Sequence, residues 1–244
     1  MLGLPDDVTA CLFDMDGVIT QTAKVHDAAW KEMFDDFLRS WSAAHGQQFV
    51  PFDPVHDYDE YVDGKPRLEG TASFLESRGI SLPQGSESDP AGTETVWGLS
   101  NRKNELILAV LDRDGVQSYE GSVRYVTAVR AAGLRTAIVS SSANTEAVLK
   151  AAGVDSLFEV RVDHQVAESA HLHGKPAPDT FLEAARLLGV PAAKATVFED
   201  ALAGVAAGRA GNFGFVVGVD RVGQADQLRA HGADVVVEDL ADLL

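Results

Sequence analysis

The feature that most constrains the fold is a repeated pattern in the second half of the chain. After residue 115, five helical stretches each end near a glycine and lead into a short apolar run. The glycines are Gly133, Gly153, Gly189, Gly211 and Gly232, and the runs after them span residues 134–139, 158–162, 195–198, 213–219 and 234–237. A glycine after a helix supplies a left-handed cap, and short β-branched runs are typical of strands buried on both faces. The pattern predicts an α/β fold with a parallel, Rossmann-like sheet between two layers of helices.

Another apolar run, residues 8–13, lies near the start of the chain and is followed by Asp14-Met15-Asp16-Gly17. It predicts a further buried strand with Asp14 at its carboxyl end, where open α/β sheets place their chemistry. Two acids this close are costly without a cation between them, and Mg²⁺ suits carboxylate oxygens. The alternative is an Asp-Gly turn or a helix cap with no chemical role.

A segment of different character separates this first run from the repeated pattern. From about residue 22 to residue 111 the sequence is richer in aromatics, and in residues 28–38 the apolar side chains recur at helical spacing. We therefore predict a discontinuous core, residues 1–19 and 115–244, with an inserted helical cap, residues 20–114. An insertion after the first strand would lie over the acids as a lid.

Composition narrows the range of functions. The 244 residues carry a formal net charge of -17, so nucleic acids and anionic membranes are not expected partners. Cys11 is the single cysteine, which rules out an intrachain disulfide and favours a reducing, cytoplasmic setting. No apolar run approaches the roughly 18 residues of a membrane span. We expect a cytoplasmic monomer that acts on a small molecule.

Two polar stretches follow predicted strands in the second half of the chain. Residues 140–144, Ser-Ser-Ser-Ala-Asn, offer hydroxyls and free backbone amides at a helix amino terminus, which suits an anion. The alternative is an ordinary serine cap. Lys175 lies on a loop stiffened by two prolines, before Asp179 or Thr180 as a helix cap. Its ammonium could neutralise phosphate oxygens or nearby acids, and a solvated surface lysine is the alternative.

A second pair of acids repeats the arrangement seen at the first strand. Glu199 and Asp200 directly follow the apolar run 195–198. Acids at the ends of two separate strands are a stronger indication of a metal site than either pair alone.

The motifs together resemble those of a known superfamily. They are Asp14-Met15-Asp16-Gly17-Val18, Ser140, Lys175 and Glu199-Asp200. In order and spacing the set is similar to the four motifs of the haloacid dehalogenase superfamily of phosphotransferases. The resemblance implies that Asp14 is the nucleophile that forms an aspartyl phosphate and that Asp16 is the general acid/base. It also implies that Mg²⁺ binds the Asp14 carboxylate, the Asp16 carbonyl, Glu199 and Asp200, while Ser140 and Lys175 hold the phosphoryl group.

The cap carries a narrower resemblance. Residues 19–30, 64–67 and 102–104 are similar to the corresponding parts of the β-phosphoglucomutase family. This implies that His26 assists the acid/base and that Arg67 binds the phosphate that is not transferred. The substrate-binding residues that the resemblance implies are Trp30, Gly64, Arg67, Lys103, Asn104, Ser141, Ser142 and Asn144.

The implied activity is a Mg²⁺-dependent interconversion of β-glucose 1-phosphate and glucose 6-phosphate. Glucose 1,6-bisphosphate would serve as intermediate and activator. Gln21 stands where the family usually has an aspartate, and the cap is longer, which leaves sugar preference open. One alternative is a phosphatase acting on a sugar phosphate or similar metabolite, with water collecting the phosphoryl group from Asp14. Another is a catalytically silent binding or regulatory module. A dehalogenase would leave Asp16 and the second acid pair without a task.

Overall fold

The computed structural model describes residues 2–244. Its internal contacts divide the chain into two compact units. The larger unit combines the residues up to Thr22 with Val116–Leu244, and the smaller unit is Ala23–Gly115. The domain bounds predicted above stay a prediction, and residue 1 lies outside the described residues. No helix in the described part of the chain is long and apolar enough to cross a membrane.

The larger unit is built on six parallel strands. They are β1 (Ala10–Asp14), β2 (Arg135–Val139), β3 (Val160–Val162), β4 (Ala195–Glu199), β5 (Phe215–Val219) and β6 (Val235–Val237). Their order in the sheet is β3-β2-β1-β4-β5-β6, so β1 lies at the centre between β2 and β4. All neighbouring pairs run parallel. The predicted parallel α/β sheet is confirmed.

Helices connect the strands and cover both faces of the sheet. They are α4 (Glu120–Ala131), α5 (Thr145–Ala151), α6 (His164–Ser169), α7 (Asp179–Leu188), α8 (Leu202–Ala210) and α9 (Ala225–Ala230), with α1 to α3 in the smaller unit. Alternate residues of β1 point to opposite faces. Leu12 joins a core cluster with Phe181 of α7. Phe13 stacks on Phe198 at 4.4 Å and meets the edge of Tyr125 of α4 at 6.4 Å.

Four of the five predicted glycine caps adopt positive φ, and one does not. The four are Gly133, Gly153, Gly189 and Gly232. The prediction for Gly211 was wrong, because its φ is -77° and the next residue, Asn212, takes the left-handed conformation at +54°. A Cβ atom on Gly211 would lie 2.6 Å from the ring of Phe213. Gly211 therefore allows close packing after α8, and asparagine supplies the turn.

The smaller unit is helical, as predicted. Its helices are α1 (Ala23–His45), α2 (Arg67–Ser77) and α3 (Val96–Asp114), with a π-helical turn at Tyr58–Val62. The apolar stripe of α1 packs in an aromatic core, where Phe34 lies 5.3 Å from Trp30 and 4.0 Å from Phe74, measured between ring centroids. The buried Asp35 side chain accepts a hydrogen bond from the Phe52 amide at 2.8 Å, which fixes the loop after α1 to this core.

The central position of Phe13 makes it a sensitive test of the packing. It is fully buried, so Phe13→Ala removes a ring contacted from two sides. We expect the free energy of unfolding in urea to fall by about 3–5 kcal/mol. Leu187→Ala is the control, because Leu187 is 43% exposed and its loss should change stability by less than about 0.5 kcal/mol. Equal effects of the two substitutions would contradict the packing described here.

Candidate active site

The acids predicted to share a site converge at the carboxyl edge of the sheet. Asp14 ends β1 and Glu199 ends the neighbouring strand β4, with Asp200 directly after it. Carboxylate oxygens of all three residues lie within 4.8 Å of one another. Because the strands are parallel neighbours, their carboxyl ends bring side chains from distant parts of the sequence to one place.

Lys175 lies among these acids. Its Nζ atom is 2.5 Å from Asp14 Oδ1 and 2.5 Å from Glu199 Oε1, and its side chain is 1% exposed. Burial raises the pKa of Asp14 well above its usual value, although the charge of Lys175 opposes this shift. Burial alone would lower the pKa of Lys175, but Asp14 and Glu199 more than offset it and hold that pKa above its usual value. The lysine is therefore a buried ammonium with two carboxylate partners.

The helix α7, which follows the Lys175 loop, has a different N-cap residue from the one predicted. Asp179 is the first residue of α7, and its side chain accepts a hydrogen bond from the His173 amide at 3.0 Å. Pro178, which has no side-chain acceptor, occupies the capping position of the helix. The predicted cap at Asp179 or Thr180 was wrong, because the aspartate ties the helix back to the loop before Lys175.

Two glycines make room for the acids. Gly17 has φ +80°, and a Cβ atom there would overlap the Asp200 carboxylate. Gly204 lies in the first turn of α8, where a Cβ atom would overlap the Glu199 carboxylate. The other oxygen of Glu199 accepts a hydrogen bond from the Ala201 amide at 2.9 Å. The role of Gly204 was missed from the sequence, although a glycine just inside the helix that follows an acid pair is a usable signal.

Asp16 is partly exposed and follows the end of β1 by two residues. The hydroxyl of the buried Thr22 donates a hydrogen bond to its carboxylate. The Gly17 amide donates to the carbonyl of Thr20 at 2.9 Å, which closes the turn after the acid. Nothing in the spacing of the sequence identifies Thr22 as a partner of Asp16, so this contact was missed.

The serine stretch after β2 binds its own backbone. Ser140 is buried, and its hydroxyl accepts a hydrogen bond from the Ser142 amide at 3.1 Å. The Ser142 hydroxyl in turn accepts from the Asn144 amide at 3.1 Å, one residue before α5. The expectation of free amides was therefore wrong for Ser142 and Asn144, and Ser141, between Ser140 and Ser142, is partly buried. Such side chain to backbone bonds fix the shape of the loop.

In the smaller unit three of the predicted residues come together. Lys103 of α3 is buried, and its Nζ atom lies 2.8 Å from Nδ1 of His26 on α1. A lysine ammonium can only donate, so Nδ1 of His26 is the acceptor in this contact. The same ammonium lies 4.7 Å from the centre of the Trp30 ring. Trp30 also packs in the aromatic core, so a substrate contact by this residue stays a prediction.

The remaining predicted cap residues lie on other parts of the same unit. Arg67 is the first residue of α2 and is partly buried. Burial lowers its pKa and Glu87 raises it, and the guanidinium stays charged at neutral pH. Gly64 forms the turn before α2 with φ +69°, and Asn104 follows Lys103 in α3. The roles predicted for these residues stay predictions.

The cluster of carboxylates from Asp14, Glu199 and Asp200 suits a hard divalent cation. Its carboxylate oxygens are the donors that Mg²⁺ prefers, and the Lys175 ammonium already bound between two of them shows that the site requires positive charge. Asp14, Glu199 and Asp200 would supply side-chain oxygens, and the Asp16 carbonyl is the further ligand that the motif implies.

Comparisons with known proteins agree with the motifs. A family model described as haloacid dehalogenase-like hydrolase matches residues 8–212. A β-phosphoglucomutase of Mycobacterium tuberculosis (strain CDC 1551 / Oshkosh) is 58% identical over 247 residues, which cover 100% of this chain and 94% of the relative. A β-phosphoglucomutase of Bacillus subtilis (strain 168) is 30% identical over 234 residues, 96% of this chain and 91% of the relative. The crystal structure of β-phosphoglucomutase from Clostridium difficile has a TM-score of 0.73 at 25% identity, covering 97% of this chain and 93% of that chain.

The family predicted from the motifs is thereby confirmed. The family match spans both acid pairs, the serine stretch and the lysine loop. The similarity to the Mycobacterium relative extends over the whole chain, including the inserted helical segment. This chain belongs to the haloacid dehalogenase-like hydrolase family, in its β-phosphoglucomutase-like branch.

Proposed function

We propose that the protein is a Mg²⁺-dependent phosphotransferase that acts as a β-phosphoglucomutase. It interconverts β-glucose 1-phosphate and glucose 6-phosphate through an aspartyl phosphate on Asp14. The observation that carries the proposal is the buried contact of Lys175 with both Asp14 and Glu199 at 2.5 Å, beside Asp200. This arrangement joins a nucleophile, a fixed cation and metal ligands, and it occurs in a chain 58% identical to a β-phosphoglucomutase.

The chain's own residues perform the first transfer. An oxygen of Asp14 forms a bond to the phosphorus at C1 of glucose 1,6-bisphosphate, and the bond between that phosphorus and the sugar oxygen breaks, which releases glucose 6-phosphate. Asp16 gives its proton to that leaving oxygen. Lys175 and Ser140 hold the oxygens of the moving phosphoryl group. Bound Mg²⁺ supplies positive charge that screens the repulsion between a carboxylate and a phosphate dianion.

The second transfer reverses the roles with a different hydroxyl. Asp16 takes the proton of the attacking sugar hydroxyl, whose oxygen bonds to phosphorus as the bond to Asp14 breaks. With β-glucose 1-phosphate as the attacking sugar, this step forms glucose 1,6-bisphosphate and regenerates Asp14. The bisphosphate then turns round and places its C1 phosphate at Asp14 for the next first transfer. A mutase needs a second phosphate site for this exchange, and we assign Arg67 to it, with Lys103, Asn104 and the residues around Asn144 contacting sugar and phosphate. His26 assists Asp16.

Glucose 1,6-bisphosphate as intermediate and activator is part of this proposal. So are a monomeric state, a cytoplasmic location and the absence of nucleic-acid or membrane partners. The relatives' names support a sugar phosphate as substrate. The lengthened cap and Gln21 leave room for a related sugar.

The first test is a product assay with Asp14→Asn. Wild-type protein with Mg²⁺, β-glucose 1-phosphate and a trace of glucose 1,6-bisphosphate should form glucose 6-phosphate with little free phosphate. Asp14→Asn should lower turnover by about 10³-fold or more, because an amide cannot form the aspartyl phosphate. Asp226→Asn is the matched control, since the side chain of Asp226 is 98% exposed.

Free phosphate released in step with substrate loss, without glucose 6-phosphate, would instead establish a phosphatase. The absence of turnover in both wild type and Asp14→Asn would support the silent module.

Metal binding can be measured without turnover. A ligand that binds only the folded state at about 100 times its dissociation constant adds about 2.7 kcal/mol of stability. Mg²⁺ should therefore raise the thermal unfolding midpoint of wild type and of Asp226→Asn. Asp200→Asn removes a carboxylate from the cluster, so the same Mg²⁺ concentration should give a clearly smaller rise. An unchanged rise in Asp200→Asn would remove this residue from the proposed ligand set.

The second phosphate site is tested with Arg67→Ala. Loss of a charge-assisted contact to phosphate should lower kcat/KM for the mutase reaction by about 10–100-fold. Phosphorylation of Asp14 by acetyl phosphate, which has no second phosphate group, should change by less than about threefold. Arg39→Ala is the control, because Arg39 is exposed and pairs with Asp36 on the same helix. Equal losses with both phosphoryl donors would contradict the assignment of Arg67.

A further inference from the structure

Arg221 connects three segments of the larger unit that are distant in the sequence. It lies on the loop between β5 and α9, and its side chain is 14% exposed. Its Nε atom donates a hydrogen bond to the carbonyl of Gly17 at 2.7 Å, and its Nη1 atom donates to the carbonyl of Glu238 at 2.6 Å. The guanidinium carbon lies 3.6 Å from the centre of the Tyr119 ring. The planar group is therefore fixed both at its edge and across its face.

The carbonyl that Arg221 binds belongs to the residue after the proposed acid/base. Glycine has the greatest backbone freedom, and Gly17 adopts φ +80°. Its amide is held by the carbonyl of Thr20 at 2.9 Å, and its carbonyl is held by Arg221. Both polar groups of the Gly17 backbone are thus satisfied, which fixes the direction in which the chain leaves Asp16.

The loop that carries Arg221 is itself rigid and contacts the second acid pair. Asp220 accepts backbone hydrogen bonds from Val222, Gly223, Gln224 and Ala225. The buried Gln224 side chain donates to the carbonyl of Asp200 at 3.0 Å. The Tyr119 amide donates to the carbonyl of Ile19 at 2.8 Å, beyond the turn after Asp16. Residues 220–224 therefore form a support shared by both acid-bearing loops.

We propose that Arg221 is a positioning residue for proton transfer by Asp16, an inference that rests on the proposed function. Arg221 acts through the Gly17 carbonyl rather than on the reacting atoms. Without this bond the Gly17 peptide can rotate, so the Asp16 carboxyl is aligned less often with the leaving sugar oxygen. The attacking Asp14 is held by Lys175, and none of the hydrogen bonds described for residues 2–244 joins Asp14 to Arg221. Proton transfer should therefore depend on Arg221 more than nucleophilic attack does.

Two phosphoryl donors separate these steps in Arg221→Met. A sugar phosphate releases an alkoxide-like oxygen that needs a proton, whereas acetyl phosphate releases acetate, which leaves as a stable anion. With β-glucose 1-phosphate we expect kcat to fall by about 10–100-fold while KM changes by less than about threefold. Phosphorylation of Asp14 by acetyl phosphate should change by less than about threefold. Arg229→Met is the control, since Arg229 is exposed and pairs with Asp226 on the same helix.

Amide hydrogen exchange gives a readout that does not depend on turnover. Peptides covering residues 15–20 should exchange faster in Arg221→Met than in wild type, and Arg229→Met should match wild type. Arg221→Lys keeps the charge and one donor, so it should recover part of the loss in kcat. If Arg221→Met fails to fold, as judged by circular dichroism, the two phosphoryl donors are compared in Arg221→Lys and Arg221→Gln instead.

The outcomes distinguish this inference from the proposed function. Wild-type turnover of β-glucose 1-phosphate is measured first, and its absence would count against the proposed function. If wild type converts β-glucose 1-phosphate and Arg221→Met loses activity equally with β-glucose 1-phosphate and with acetyl phosphate, the role of Arg221 is structural and the inference is overturned. No loss with either donor, or unchanged exchange in residues 15–20, would also overturn it.

Discussion

The site depends on negative charge that is gathered out of water and compensated by one fixed ammonium. Asp14, Glu199 and Asp200 are buried at neighbouring strand ends, and Lys175 contacts two of them. Desolvated carboxylates repel one another strongly, so they remain together only where cations and hydrogen bonds offset their burial. The raised pKa of Asp14 reflects that burial. The same crowding that is unfavourable for stability makes the site ready to bind a divalent cation, since a cation relieves the repulsion.

The sheet can sustain this charge because its centre is otherwise apolar and tightly packed. β1 is buried along its whole length, and Phe13 stacks on Phe198 one residue before each strand presents an acid. The two strands are thus locked in register by their side chains as well as by hydrogen bonds. Glycines remove the atoms that would prevent the acids from approaching the turns, at Gly17 for Asp200 and at Gly204 for Glu199.

The sequence predicts the sheet and the main acids but not how the loops close. Each strand is a short apolar run, and an acid pair directly follows two of these runs. Because both signals lie in a few consecutive residues, the strands, their order along the chain and the acids could be predicted. The left-handed turn after α8 falls on Asn212, whereas Gly211 is required by its close approach to the Phe213 ring, a tertiary contact that no local pattern shows. The partners of Asp16 could not be predicted for the same reason. Contacts from Thr22 and, through Gly17, from Arg221 depend on tertiary packing that no local pattern encodes.

An acidic protein that binds phosphate dianions must rely on local rather than long-range charge. The formal net charge of -17 repels a sugar phosphate at a distance, but ions screen exposed charges beyond a Debye length of about 8 Å at physiological ionic strength. Inside the protein the effective dielectric constant is lower, so one buried cation outweighs many solvated acids. Lys175 in the larger unit is such a cation, and Lys103 is the buried lysine that we propose contacts sugar and phosphate in the smaller one. Since Lys175 is anchored by carboxylates, its charge is oriented before a substrate arrives, and little reorganisation is needed during transfer.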